Sequence, residues 1–157
     1  MRIAYLTVLL ALTIAGPATA EPDWKAVGQA LGRKGSVQAG GIYRVGLPRT
    51  DLKVMLDGVE IKPGFALGSW LAFKSMGNDT IVMGDLVLTG DEVNPVMKVL
   101  IENGMEVSAL HNHLLRSQPS TMYMHVAGHG DPVKLAKALH DGLAQSKTPM
   151  GPPAPVT

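Results

Sequence analysis

The sequence predicts an α+β domain, an antiparallel sheet with a C-terminal β-α-β-β-α unit whose helices lie on one face. Three observations carry that expectation. Short β-rich runs alternate with turn residues from Gly41 to Leu88. Beyond Leu88 the apolar period lengthens to that of a helix, and two further β runs and a second helical stripe follow. That order suits one sheet layered against helices.

The elements follow in turn. Trp24, Val27 and Leu31 stand at i, i+3 and i+7, which predicts a short amphipathic helix stopped between Gly32 and Gly35. Strands are expected at Ile42 to Leu47, Leu52 to Leu56, Ser69 to Phe73 and Thr80 to Leu88, forming a meander with turns at Asp57-Gly58 and Gly77-Asn78-Asp79. Val93, Val96, Met97, Leu100 and Ile101 form the next helical stripe, closed by Asn103-Gly104. Its start has two candidates: Thr89 with Glu92 at capping-box spacing, and Asn94-Pro95. Glu106 to Leu115 and Thr121 to Ala127 predict a hairpin joined through Arg116 to Ser120, and Asp131-Pro132 opens a last helix bearing Leu135, Ala136, Leu139 and Leu143. Residues 21–146 make one domain, and Lys147 to Thr157, with Pro149, Pro152, Pro153 and Pro155, predict a disordered tail.

Composition narrows the chemistry. The 157 residues are 46% hydrophobic, enough for one packed core. The formal charge of +1 supplies no basic field for a nucleic acid. With no cysteine, thiol nucleophiles, Cys-ligated zinc, iron–sulfur clusters and disulfides are all excluded. Met1-Arg2, the apolar run Ile3 to Ile14 and Ala18-Thr19-Ala20 before Glu21 predict a secretory signal peptide over residues 1–20. Gly16-Pro17 breaks the run well short of the roughly 20 residues a membrane span needs, so a soluble periplasmic product without a stable membrane anchor is expected.

All five histidines fall between positions 111 and 140. On a strand, His111 and His113 share a face with Cα atoms roughly 7 Å apart. A turn centred near Gln118 sets His125 opposite His111 and Tyr123 opposite His113, so three imidazoles and a phenol share one face. Three imidazoles with an open position suit zinc, copper or another divalent transition metal, with His129, Tyr123 or Glu92 as additional groups. The same cluster also fits a polar hairpin face whose histidines bond one another and hold nothing. His140, on the last helix beside Asp141, is expected to be solvated. Arg49 and Asp51 are expected to pair at a turn. No G-x-S-x-G, H-E-x-x-H or P-loop pattern is present.

Several stretches, among them Pro48-Arg49-Thr50-Asp51-Leu52, Ala66-Leu67-Gly68-Ser69-Trp70, Asp91-Glu92-Val93-Asn94-Pro95-Val96, Ala109-Leu110-His111-Asn112-His113 and Met122-Tyr123-Met124-His125, together resemble the LppY/LpqO family of bacterial exported proteins. The resemblance runs from about Trp24 to Leu143. That family is itself a domain of unknown function, so the resemblance implies location and fold kinship and no activity. Many members carry two copies of this unit, and the single copy here implies pairing between chains as a homodimer. Three functions stand as expectations: a periplasmic binding protein holding a transition metal or small ligand at His111, His113 and His125; a metal-dependent enzyme with Glu92, Tyr123 or His129 as proton carrier; and an envelope protein without a ligand.

Overall fold

The computed structural model describes residues 21–151. Residues 1–20, where a signal peptide is expected, and residues 152–157 lie outside the described residues. Helix α1 (Trp24–Leu31) starts where the Asp23 carboxylate accepts the N–H groups of Lys25 and Ala26, and it stops at Gly32, whose φ of 79° suits a residue without Cβ. Strand β1 (Ser36–Gln38) and strand β2 (Ile42–Pro48) follow, then the small hairpin β3 (Val54–Leu56) and β4 (Val59–Ile61), one helical turn α2 (Pro63–Ala66), and the long strands β5 (Gly68–Met76) and β6 (Asp79–Thr89). The chain closes with α3 (Gly90–Glu102), β7 (Glu106–His111), β8 (Thr121–Gly130) and α4 (Pro132–Leu143).

Six strands form one antiparallel sheet in the order β1-β2-β5-β6-β8-β7, and the C-terminal β-α-β-β-α unit is β6-α3-β7-β8-α4. Alternation sorts the side chains onto two faces. Tyr43, Val45, Leu47, Leu71, Phe73, Val82, Leu86, Met124 and Val126 point inward, where Val27 and Leu31 of α1, Val96 and Leu100 of α3 and Leu139 and Leu143 of α4 close over them. Helices α1, α3 and α4 thus share one face, among them the two of the C-terminal unit, as expected.

The opposite face is covered only in part. The expected meander is interrupted, because β3 and β4 leave the main sheet as a separate two-stranded unit. Pro48 ends β2 without an N–H to extend the ladder, and Asp57-Gly58, with φ of 48° and 85°, turns the chain tightly back. Val54, Ile61 and Leu67 then pack on Val87 and Tyr123, a second, smaller core on the outer face. Beyond this hairpin the outer face is open.

Arg49 ties the elements together. Its side chain is fully buried, and Nε and Nη2 donate to Asp51 at 2.9 and 2.8 Å. Nη2 and Nη1 also donate to the two Glu92 oxygens at 3.1 and 2.8 Å, and Nη1 to the Val87 carbonyl at 2.7 Å. Glu92 in turn accepts the N–H groups of Thr89 at 2.9 Å and Lys147 at 2.8 Å. This cluster decides between the two expected helix starts and revises the expected tail. Helix α3 starts at the Thr89 cap, leaving Pro95 inside the helix. The tail expected from Lys147 is docked as far as Gly151: Thr148 is buried, Met150 packs on the core, and Arg33 Nη1 donates to the carbonyls of Pro149 and Gly151.

Burial pushes the Glu92 carboxyl up, but hydrogen bonds from Arg49, Lys147 and Thr89 and the Arg49 charge outweigh it and hold the group below the ordinary glutamate value. A carboxylate depressed in this way contributes stability above the unfolded-state value, and that stability is lost as pH falls through the folded one. Glu92→Ala leaves a buried guanidinium short of a partner and is expected to cost about 3–5 kcal/mol at pH 7. Urea denaturation of both proteins from pH 7 down to pH 3 checks this, with the gap between them narrowing on the acid side.

Candidate functional site

Histidine placement depends on β7 and β8. A bulge between Val107 and Ala109 shifts the register, so Ala109 faces His125 and His111 faces Tyr123. The expected partners, His111 with His125 and His113 with Tyr123, are therefore displaced by two residues. Because two is the side-chain period of a strand, the faces survive the error. His111 and His125 become diagonal neighbours whose Nε2 atoms stand 3.0 Å apart. Strand β7 ends at His111 rather than Leu115, so His113 lies past the ladder, its ring stacked on Tyr123 at 3.7 Å between centroids. The His111 and His113 rings are 4.8 Å apart.

The other expected groups are placed elsewhere or already engaged. Tyr123 is 2% exposed, and its hydroxyl donates to the Ala66 carbonyl at 2.8 Å. Glu92 belongs to the Arg49 cluster, where each of its oxygens accepts two hydrogen bonds. Neither is free to carry a proton to a ligand. β8 runs on to Gly130, so His129 is a strand residue on the His125 face, four positions and roughly 13 Å further along. Its partner there is Asp79, at 3.8 Å. His140 is not simply solvated: Nδ1 lies 3.0 Å from the Leu31 carbonyl and links α4 to α1.

Register across the sheet brings in residues that sequence reading passed over. Gly46, Trp70, Asp85, His125 and Ala109 are successive cross-strand partners on β2, β5, β6, β8 and β7. All lie on the outer face. The Arg44 guanidinium sits 4.3 Å from the Trp70 ring centre, within cation–π range. Asp85 Oδ2 is 3.8 Å from His125 Nε2, and Asp85 Oδ1 is buried without a hydrogen-bond partner. Between this row and α2 lies a cleft of about 490 Å³, lined by Arg44, Trp70, Asp85, His113, Tyr123 and Phe65 among others. Among the described residues, no three His, Asp or Glu side chains converge in an arrangement able to hold a metal ion. His113, the third expected ligand, is thus not gathered with His111 and His125.

Fold and site together define an α+β architecture with α1, α3 and α4 on one sheet face and a histidine-edged, aromatic cleft on the other. The chain belongs to the family described as Domain of Unknown Function (DUF1259), whose model matches residues 25–145. No curated protein and no solved structure matches it. Among the described residues, no helix is long and apolar enough to cross a membrane.

Burial, with a smaller contribution from the Asp85 charge, pushes the Tyr123 phenol above the ordinary tyrosine value of 10.0. The unfolded chain ionises first as pH rises, so this residue makes the fold lose stability above about pH 10. Tyr123→Phe should lose about 1 kcal/mol at pH 7 with the hydrogen bond to Ala66. The same variant should flatten the alkaline loss of stability, read by denaturant titration from pH 7 to 11.

Proposed function

We propose that this is an exported, periplasmic binding protein whose His111–His125 pair is the seat of a divalent transition metal such as zinc, copper or nickel. The observation that carries the reading is the 3.0 Å contact between the two Nε2 atoms. Two nitrogens each about 2.0–2.1 Å from a tetrahedral ion stand roughly 3.3 Å apart, so opening the contact by a few tenths of an ångström admits one. As the side chains stand the seat offers two nitrogens; Asp85 Oδ2, 3.8 Å from His125 Nε2, becomes a third donor only when its carboxylate shifts, and water would complete the shell. His113 borders the site through its stack on Tyr123 and ligates only if that stack opens. The resemblance to the exported LppY/LpqO family and the predicted signal peptide support the location. The paired units carried by many members of that family support a homodimer as the working state.

Calorimetric titration of metal-stripped, untagged protein with zinc, copper and nickel tests the reading. One ion per chain is expected, with affinity reduced about a hundredfold in His111→Ala or His125→Ala. His113→Ala should lose far less and His140→Ala nothing. Protons compete for imidazole nitrogen, so affinity should fall as pH is lowered. No heat with any of the three metals, or unchanged affinity in His125→Ala, would overturn it.

A further inference from the structure

We propose that the outer-face cleft beside the histidine pair is a saccharide subsite that shares Asp85 with the metal seat proposed above but does not need the ion to bind its sugar. The argument starts from polar groups left with spare capacity. Asp85 Oδ1 is buried and has no hydrogen-bond partner among the described residues. An unmade hydrogen bond of that kind is costly enough to need an explanation, and a donor brought by a ligand supplies one once the carboxylate turns toward the cleft. Two strands away, the Arg44 guanidinium is held over Trp70 and presents planar N–H donors. His113 adds a group that both donates and accepts.

Apolar surface alternates with these groups. Trp70 and Phe65, the latter 81% exposed, bring ring surface to the same cleft, which Tyr123 borders as a buried residue. Donors, acceptors and aromatic faces in alternation match a pyranose, whose hydroxyls both donate and accept and whose C–H faces pack against rings. Glycines on both sides keep the cleft wide, Gly46 on β2 and Gly64 on α2. A Cβ at Gly46 or at Gly64 would meet no atom within 4 Å, so the space above both is open. At about 490 Å³ the cleft lies within the usual range of small-ligand sites.

Trp70 is itself the reporter, because the chain has two tryptophans and Trp24→Phe keeps the aromatic stack on Tyr43. In that background, fluorescence titrations in EDTA with glucose, galactose, N-acetylglucosamine, maltose and cellobiose are expected to give saturable change with at least one sugar. Asp85→Asn should weaken that binding about tenfold or more. Gly46→Leu should abolish it by filling the cleft while leaving the thermal midpoint unchanged. The EDTA keeps the test apart from the metal reading, so either can fail alone. Saturation by dipeptides such as glycyl-leucine instead of sugars, no response to any sugar, or undiminished sugar binding in Gly46→Leu would overturn the proposal.

Discussion

Arg49 has five N–H donors and five acceptors: two oxygens of Asp51, two of Glu92 and the carbonyl of Val87. A guanidinium in the interior is tolerable only on such terms, since desolvation exceeds the attraction unless every hydrogen bond is made. Two carboxylates against one cation leave an excess negative charge. The N–H groups of Thr89 and Lys147 absorb it, helped by the positive end of α3, at whose third position Glu92 stands. The cluster joins parts far apart in sequence: the loop after β2, the end of β6, the start of α3 and the segment after α4. Pro48, next to Arg49, lines the outer-face cleft, so the same ions that fasten the helices fix one wall of the site.

The sheet's two faces divide the work. The inner face is sealed by three helices and holds the large aliphatic residues at or near zero exposure. The outer face carries only a short hairpin and one helical turn, which bury Val87 and Tyr123 and leave Trp70, Met83, Asp85 and His125 uncovered to differing degrees. A sheet covered on one side is stable because antiparallel strands can leave the other face to solvent. It also offers a rigid floor on which side chains from four strands stand in fixed rows, a better platform for a site than a loop.

Much of this was legible in the chain, for physical reasons. Periodicity found α1, α3 and α4, because their apolar stripes fall at i, i+3, i+4 and i+7. It also found the long strands, though β1, β4 and α2 are too short to leave a period. Faces were legible and partners were not. The bulge near Ser108 and the length of the β7–β8 loop moved His111 from opposite His125 to opposite Tyr123, and neither feature has a sequence mark. Asp85 and Trp70 gave no local signal at all. They join the histidines only through strand order, since β6 lies between β5 and β8 with α3 and β7 intervening in sequence. Spacing from Thr89 offered Glu92 as one of two possible helix starts and also left it as a candidate ligand or base; the structure has the cap, while the tie to Arg49 that occupies its carboxylate spans 43 residues and no local pattern reports it.

The contrast between the two carboxylates separates what holds the fold from what remains open to chemistry. Glu92 accepts four hydrogen bonds and faces a buried cation, so its charge is spent inside the protein. Asp85 has one oxygen 3.8 Å from an imidazole and the other with no partner, although it lies on a rigid strand paired on both sides. Folding alone gives no reason for that arrangement, since an apolar residue there would avoid the unmade bond. Polar groups that the fold leaves unsatisfied are where a ligand gains most, because binding then supplies contacts that the free protein lacks. Asp85 stands beside His125 and also lines the aromatic cleft, so one carboxylate links the two proposed sites.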